Sequence, residues 1–181
     1  MEFLKITALG LFAGILYGVL HDQVTARVCI EYFTVGHPRL IDSDSPTVLA
    51  LFWGVVATWW VGLPLGFLLA CAARLGGRPR LTALQLLRPL RTLLAAMATM
   101  ALIGGLAGLL LALHGDAALP TGLASAVPKE SHARFIADLW AHTFSYLSGI
   151  VGGLVLVVLS FRRRNPKRQP ALQHLPEGGR E

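Results

Sequence analysis

Long apolar runs alternate with short polar connections along this chain. Four runs stand out: Phe3 to Leu20, Thr47 to Ala73 (interrupted by Pro64), Leu93 to Leu113, and Phe135 to Phe161, whose uncharged part begins at Thr143. Each is long enough for a helix that crosses a hydrocarbon core, which takes about 20 residues. With the flanking residues that keep helical character, the pattern predicts helices over about 3–34, 46–74, 88–113 and 132–162. The fold class expected is all-α integral membrane: a four-transmembrane-helix bundle over residues 1–164. The remainder, 165–181, is polar and punctuated by Pro166, Pro170, Pro176 and Gly178-Gly179, and reads as a disordered basic cytoplasmic tail.

Composition agrees with that pattern. Of 181 residues, 54% are hydrophobic and 14% charged, against about 25% charged in a soluble domain. The length leaves no room for a separate soluble domain. The net charge of +6 would suit a nucleic-acid partner, but the basic residues lie beside the apolar runs. There they act as topology signals and headgroup contacts, so nucleic acid is excluded as the expected partner and the lipid bilayer takes its place.

Lys and Arg also set the expected orientation. The connection between the second and third runs carries Arg74, Arg78, Arg80, Arg88 and Arg91 without an acid; the tail carries Arg162, Arg163, Arg164, Lys167, Arg168 and Arg180. The other two connections hold only Arg27, Arg39, Lys129 and Arg134, mixed with acids. The positive-inside rule places both termini and the middle connection in the cytoplasm. The first run follows Lys5 and has some signal-peptide character, but no small-x-small site with a polar boundary follows it, so it is expected to be retained. Cys29 and Cys71 then fall on opposite faces, about 30 Å apart, too far to pair.

Small residues recur at four-residue spacing: Gly10, Gly14 and Gly18, then Gly62 and Gly66, Gly104 and Gly108, Gly149 and Gly153. Such stripes let membrane helices approach closely. A tight bundle within one chain is expected, which counts against a wide channel. Proton relays and many ion-coupled transporters place acids or His near mid-membrane; no run has an ionisable residue there. Trp59-Trp60 is expected as a packed aromatic pair.

The chain's ionisable residues gather at the outward-facing end. The series Gly10, Gly14, Gly18 lands next on Asp22. If the first helix continues, Asp22, Thr25, Ala26 and Cys29 share a face, His21 lies on its edge, and Arg27 can pair with Glu31. On the fourth helix Asp138 and His142 are four apart, with Ser145 and Tyr146 continuing inward. Imidazole and carboxylate at one depth are ligands for zinc, iron, manganese or copper. The candidate ligands of a transition-metal ion are His21, Asp22, Glu31, Asp138 and His142, with His37 and His132 as further candidates. The spacing matches neither His-Glu-x-x-His nor a repeated Glu-x-x-His pair. Noncovalent haem between His21 and His142 stays open. So does a purely structural network built on Asp138 with His142, Asp22 with Arg27, or Glu31 with Arg134.

The run from His21 to Pro38, with Trp59-Trp60-Val61-Gly62-Leu63-Pro64 and Asp138-Leu139-Trp140-Ala141-His142, resembles a group of small bacterial four-helix membrane proteins without an assigned activity. The resemblance implies a multi-pass protein of the bacterial inner membrane and no mechanism. Three functions stand on the sequence: a metal-binding membrane protein, an accessory subunit whose polar mouth docks a protein partner at the outer face, and a small transporter. No catalytic motif decides whether the chain is an enzyme.

Overall fold

A computed structural model describes residues 1–164; the tail reading falls on 165–181, outside the described residues. The elements in order are α1 (Glu2–Val28), α2 (Ile30–Thr34), α3 (Pro46–Val56), α4 (Trp59–Arg74), α5 (Ala83–His114), α6 (Thr121–Ala126) and α7 (His132–Arg163), the last preceded by a 3₁₀ turn, Lys129–Ser131. Four helical stretches are long and apolar enough to cross a membrane: Glu2–Val28, Pro46–Arg74, Ala83–His114 and Lys129–Arg163. No strand occurs among the described residues.

Local chemistry sets the ends and breaks. A capping box, Thr82 with Gln85, starts α5 at Ala83, five residues ahead of the position that hydropathy picks out. Gly115, left-handed with φ 85, ends it. The first helix does not run unbroken to residue 34. Cys29 turns extended (φ −148, ψ 100) and α2 restarts the helix in a new direction. The second span breaks at Ala57-Thr58, and Tyr146 on α7 donates to the Ala57 carbonyl at 2.9 Å, taking up an acceptor that the break releases.

The glycine stripes are contact lines. A Cβ at Gly10 would strike the Gly66 backbone, one at Gly14 would press on Gly62, and one at Gly18 would strike Thr58 and the Gly54 carbonyl. Helix α1 therefore lies directly on α3 and α4. In the other half, Gly104 and Gly108 on α5 receive the Phe144 and Trp140 rings of α7, and Gly149 receives Met97. The bundle is thus two tightly packed pairs, α1 with α3/α4 and α5 with α7, and α4 leans on α7 where Leu65 fills the space over Gly153.

The bundle's outside is apolar, with Leu16, Leu20, Val24, Leu102 and Leu106 all more than half exposed. Trp59 and Trp60 belong to this outer surface, at 48% and 53% exposure, and are not a packed core pair.

At the end where the chain starts, contacts tie all four spans together. Glu2 accepts from the Ala83 amide at 3.0 Å. Arg164, 2% exposed, donates to the carbonyls of Ala72, Leu75, Arg78 and Pro79. Burial, then the neighbouring arginines Arg78, Arg74 and Arg80, pull its pKa below the ordinary value.

Candidate metal centre

The opposite end carries the polar cluster. Asp22 continues the glycine face of α1 into the bundle, and His142 lies on the buried face of α7 with Asp138, Ser145 and Gly149. The two helices bring His21, Asp22 and His142 together: one ligand atom from each lies within 4.8 Å of the others. Asp22 is 5% exposed and His142 8%.

His142 is held in a defined tautomer. Its Nδ1 lies 2.8 Å from the Asp138 backbone carbonyl, which can only accept, so Nδ1 carries the proton. In the neutral ring the other nitrogen, Nε2, is then a bare lone pair. It faces Asp22 Oδ1 at 3.3 Å. Two acceptors in a buried site stay that close only when a proton or a cation lies between them. The His21 ring meets the His142 ring edge-on, with centroids 4.5 Å apart, and its Nε2 is buried without a partner. Rings in contact leave no space for a porphyrin, so haem between His21 and His142 is ruled out by geometry.

Aromatic side chains complete the walls. Tyr17, one turn before His21 on α1, stacks on its ring with centroids 5.7 Å apart and accepts from Ser145 at 2.9 Å. Tyr32 on α2 stacks on His142 at 4.4 Å and meets Phe135 at 5.4 Å. Phe33 stands edge-on to His142 at 5.9 Å. The turn at Cys29 is what folds Tyr32 and Phe33 over the triad, so the end of the bundle is capped by rings. On its inner side the triad roofs a narrow cavity of about 90 Å³ that continues between Gly14, Gly62, Met97 and Gly149.

The other candidate residues are placed elsewhere. Glu31 does not reach the triad because the break at Cys29 turns it outward: it accepts from Ser131 Oγ at 2.8 Å and from the Cys29 thiol at 3.2 Å. For the same reason Arg27 does not pair with it, bonding Gln23 and Thr47 instead, and Arg134 reaches Ser131 rather than Glu31. Burial raises the Glu31 carboxyl. Its own backbone N–H, Ser131, Cys29 and Arg134 outweigh that and hold it below the ordinary value. Burial, then the bond to Glu31, pushes the Cys29 thiol up to about 12. Cys29 and Cys71 are both free thiols.

His37 spends Nδ1 on the Tyr32 carbonyl at 2.8 Å and packs between Phe33 and Trp53. Burial keeps its pKa low, against the opposing pull of that hydrogen bond. His132 bonds the Val127 carbonyl at 3.0 Å and serves the connection ahead of α7. The Asp138 side chain is not paired with His142; its backbone carbonyl makes that contact, and its Oδ2 is buried without a partner. The sequence reading missed Tyr17 and Tyr32. Tyr17 was legible as the i−4 neighbour of His21; Tyr32 depends on a turn that no local motif announces.

Two imidazoles and one carboxylate make a ligand set for zinc or for divalent iron, manganese or copper. The Asp138 carbonyl on the far nitrogen of His142 is the outer support that metal-bound histidines usually have. No family model, curated protein or solved structure matches the chain.

Proposed function

We propose that this chain is a multi-pass protein of the bacterial inner membrane that holds a transition-metal ion with His21, Asp22 and His142. The Arg-rich connection between α4 and α5 and the residues after α7 support a cytoplasmic placement of that end, with the triad toward the outer face. The apolar outer surface supports lipid as its solvent.

One observation carries the metal reading: the lone pair of His142 Nε2, fixed by its Asp138 bond, meets Asp22 Oδ1 at 3.3 Å beside the unpartnered Nε2 of His21. Three protein ligands leave a coordination position open, which is the pattern of reactive rather than purely structural metal sites. A second reading rests on the same distance. A protonated His142 would form an ion pair with Asp22 that clamps α1 to α7, and the chain would then be a structural or accessory subunit of a membrane complex.

Elemental analysis of the detergent-purified full chain separates the two. The metal reading expects about one transition-metal ion per chain in the wild type. It also expects loss of that ion in His142→Ala and His21→Ala proteins that still elute as folded particles. A folded wild type without metal, after growth with added zinc, iron and manganese, overturns it and leaves the clamp.

A further inference from the structure

Beside the triad, α1, α5 and α7 leave a groove of about 620 Å³ on the flank of the bundle, within the range that holds small ligands. Its walls are apolar, with Leu16, Leu20 and Val24 of α1 across from Ala98, Leu102 and Leu106 of α5. Along α1 it runs from Leu16 to Val28. That is about 18 Å at the helical rise, close to the roughly 15 Å of hydrocarbon in one leaflet. His21 and Asp138 line its floor, and their Nε2 and Oδ2 are the two buried side-chain atoms without a partner among the described residues. Buried polar atoms are nearly always bonded, so these two mark a place for a polar group from outside the chain.

The lining also states which polar group. No Lys or Arg lines the groove, and the carboxyl groups of Asp138 and Asp22 stand at and behind its floor, so an anionic headgroup is disfavoured. A hydroxyl can donate to a carboxylate or accept from a carboxylic acid, and so suits Asp138 in either protonation state. Approach from the end is blocked by Tyr32 and Phe33. The flank is open, and Tyr17 and His21 line both the groove and the inner cavity.

We infer that this groove binds the chain of a neutral, long-chain alcohol from the membrane, with its hydroxyl on Asp138 Oδ2 beside the His21–Asp22–His142 triad. This rests on the membrane reading above but not on the metal, because the Asp138 carboxyl is not among the three candidate ligands.

The test uses the full chain in nanodiscs and two photoactivatable probes, a diazirine-bearing long-chain alcohol and the matching diazirine-bearing alkane, which lacks the oxygen. Mass spectrometry maps the labelled sites, in chelator and after metal loading. Wild type is expected to take the alcohol about tenfold more than the alkane at groove residues, the factor one buried hydrogen bond to a carboxyl supplies. Ala98→Phe, at an exposed α5 position in the groove wall, should lower that labelling several-fold, and Asp138→Leu should equalise the two probes. Equal labelling by both probes in the wild type, or labelling untouched by Ala98→Phe, overturns the inference. Selective labelling in a protein that elemental analysis finds free of metal supports the inference while removing the metal reading.

Discussion

His142 Nε2 lies 3.3 Å from Asp22 Oδ1, a contact between residues 120 apart in the chain that joins α7 to α1 inside the bundle. Both partners are buried, so removing one strands the other. Asp22→Ala and His142→Ala are each expected to cost about 3–5 kcal/mol in chelator, and the double mutant clearly less than their sum. Unfolding in a denaturing detergent titration checks this; additive losses would mean that the contact is not coupled.

The glycine contact line gives a sharper steric test. Gly62→Leu on α4 must displace the α1 backbone at Gly10 and Leu11, and overpacking of this kind costs about 1–3 kcal/mol or more. Gly77→Ala, with open space around it, should stay within about 0.5 kcal/mol of wild type. Equal melting temperatures for the two variants would contradict the close approach of α1 and α4.

Cys29 should be a silent thiol. Burial and its bond to Glu31 hold it near a pKa of about 12, leaving far less thiolate at neutral pH than a free cysteine has. A Cys71→Ser protein is expected to resist maleimide at pH 7.5 until it is denatured. Rapid labelling of the native form would show that the Cys29 turn is open.

Glu31 makes stability depend on acid. Its folded pKa lies below the ordinary 4.5, so its contribution is complete above that value and fades as pH falls through the folded pKa. Wild type should lose melting temperature between pH 5 and pH 3 more steeply than Glu31→Gln. Parallel curves would mean that Ser131 and Cys29 do not stabilise the charged carboxyl.

Much of this architecture was legible in the chain. Hydropathy marks four spans because each long helix turns most of its surface outward, and the glycine spacing marks the contact lines because only small residues fit there. Continuing Gly10, Gly14 and Gly18 to Asp22, and seeing His142 on the inner face of its helix, placed two members of the triad. What stayed hidden depends on non-local geometry. The extended Cys29 redirects Glu31 and brings Tyr32 onto His142, and nothing in the residues around Cys29 announces that turn. The outward Trp59 and Trp60 open α4 just after the Ala57-Thr58 break, and the freed Ala57 carbonyl is satisfied from α7.

Arg164 and Glu2 fasten the spans to one another at the end remote from the triad. Near the triad the two helix pairs are joined by the Asp22–His142 contact, the Ser145 to Tyr17 hydrogen bond, the Tyr146 bond to the Ala57 carbonyl and the Ser131 bond to Glu31. The bundle is therefore laced at both ends, and the two seams differ in kind: one arginine on several carbonyls at one, four separate side-chain contacts at the other. Losing Arg164 undoes most of its seam in one substitution, while the triad end keeps three ties when any single one is cut.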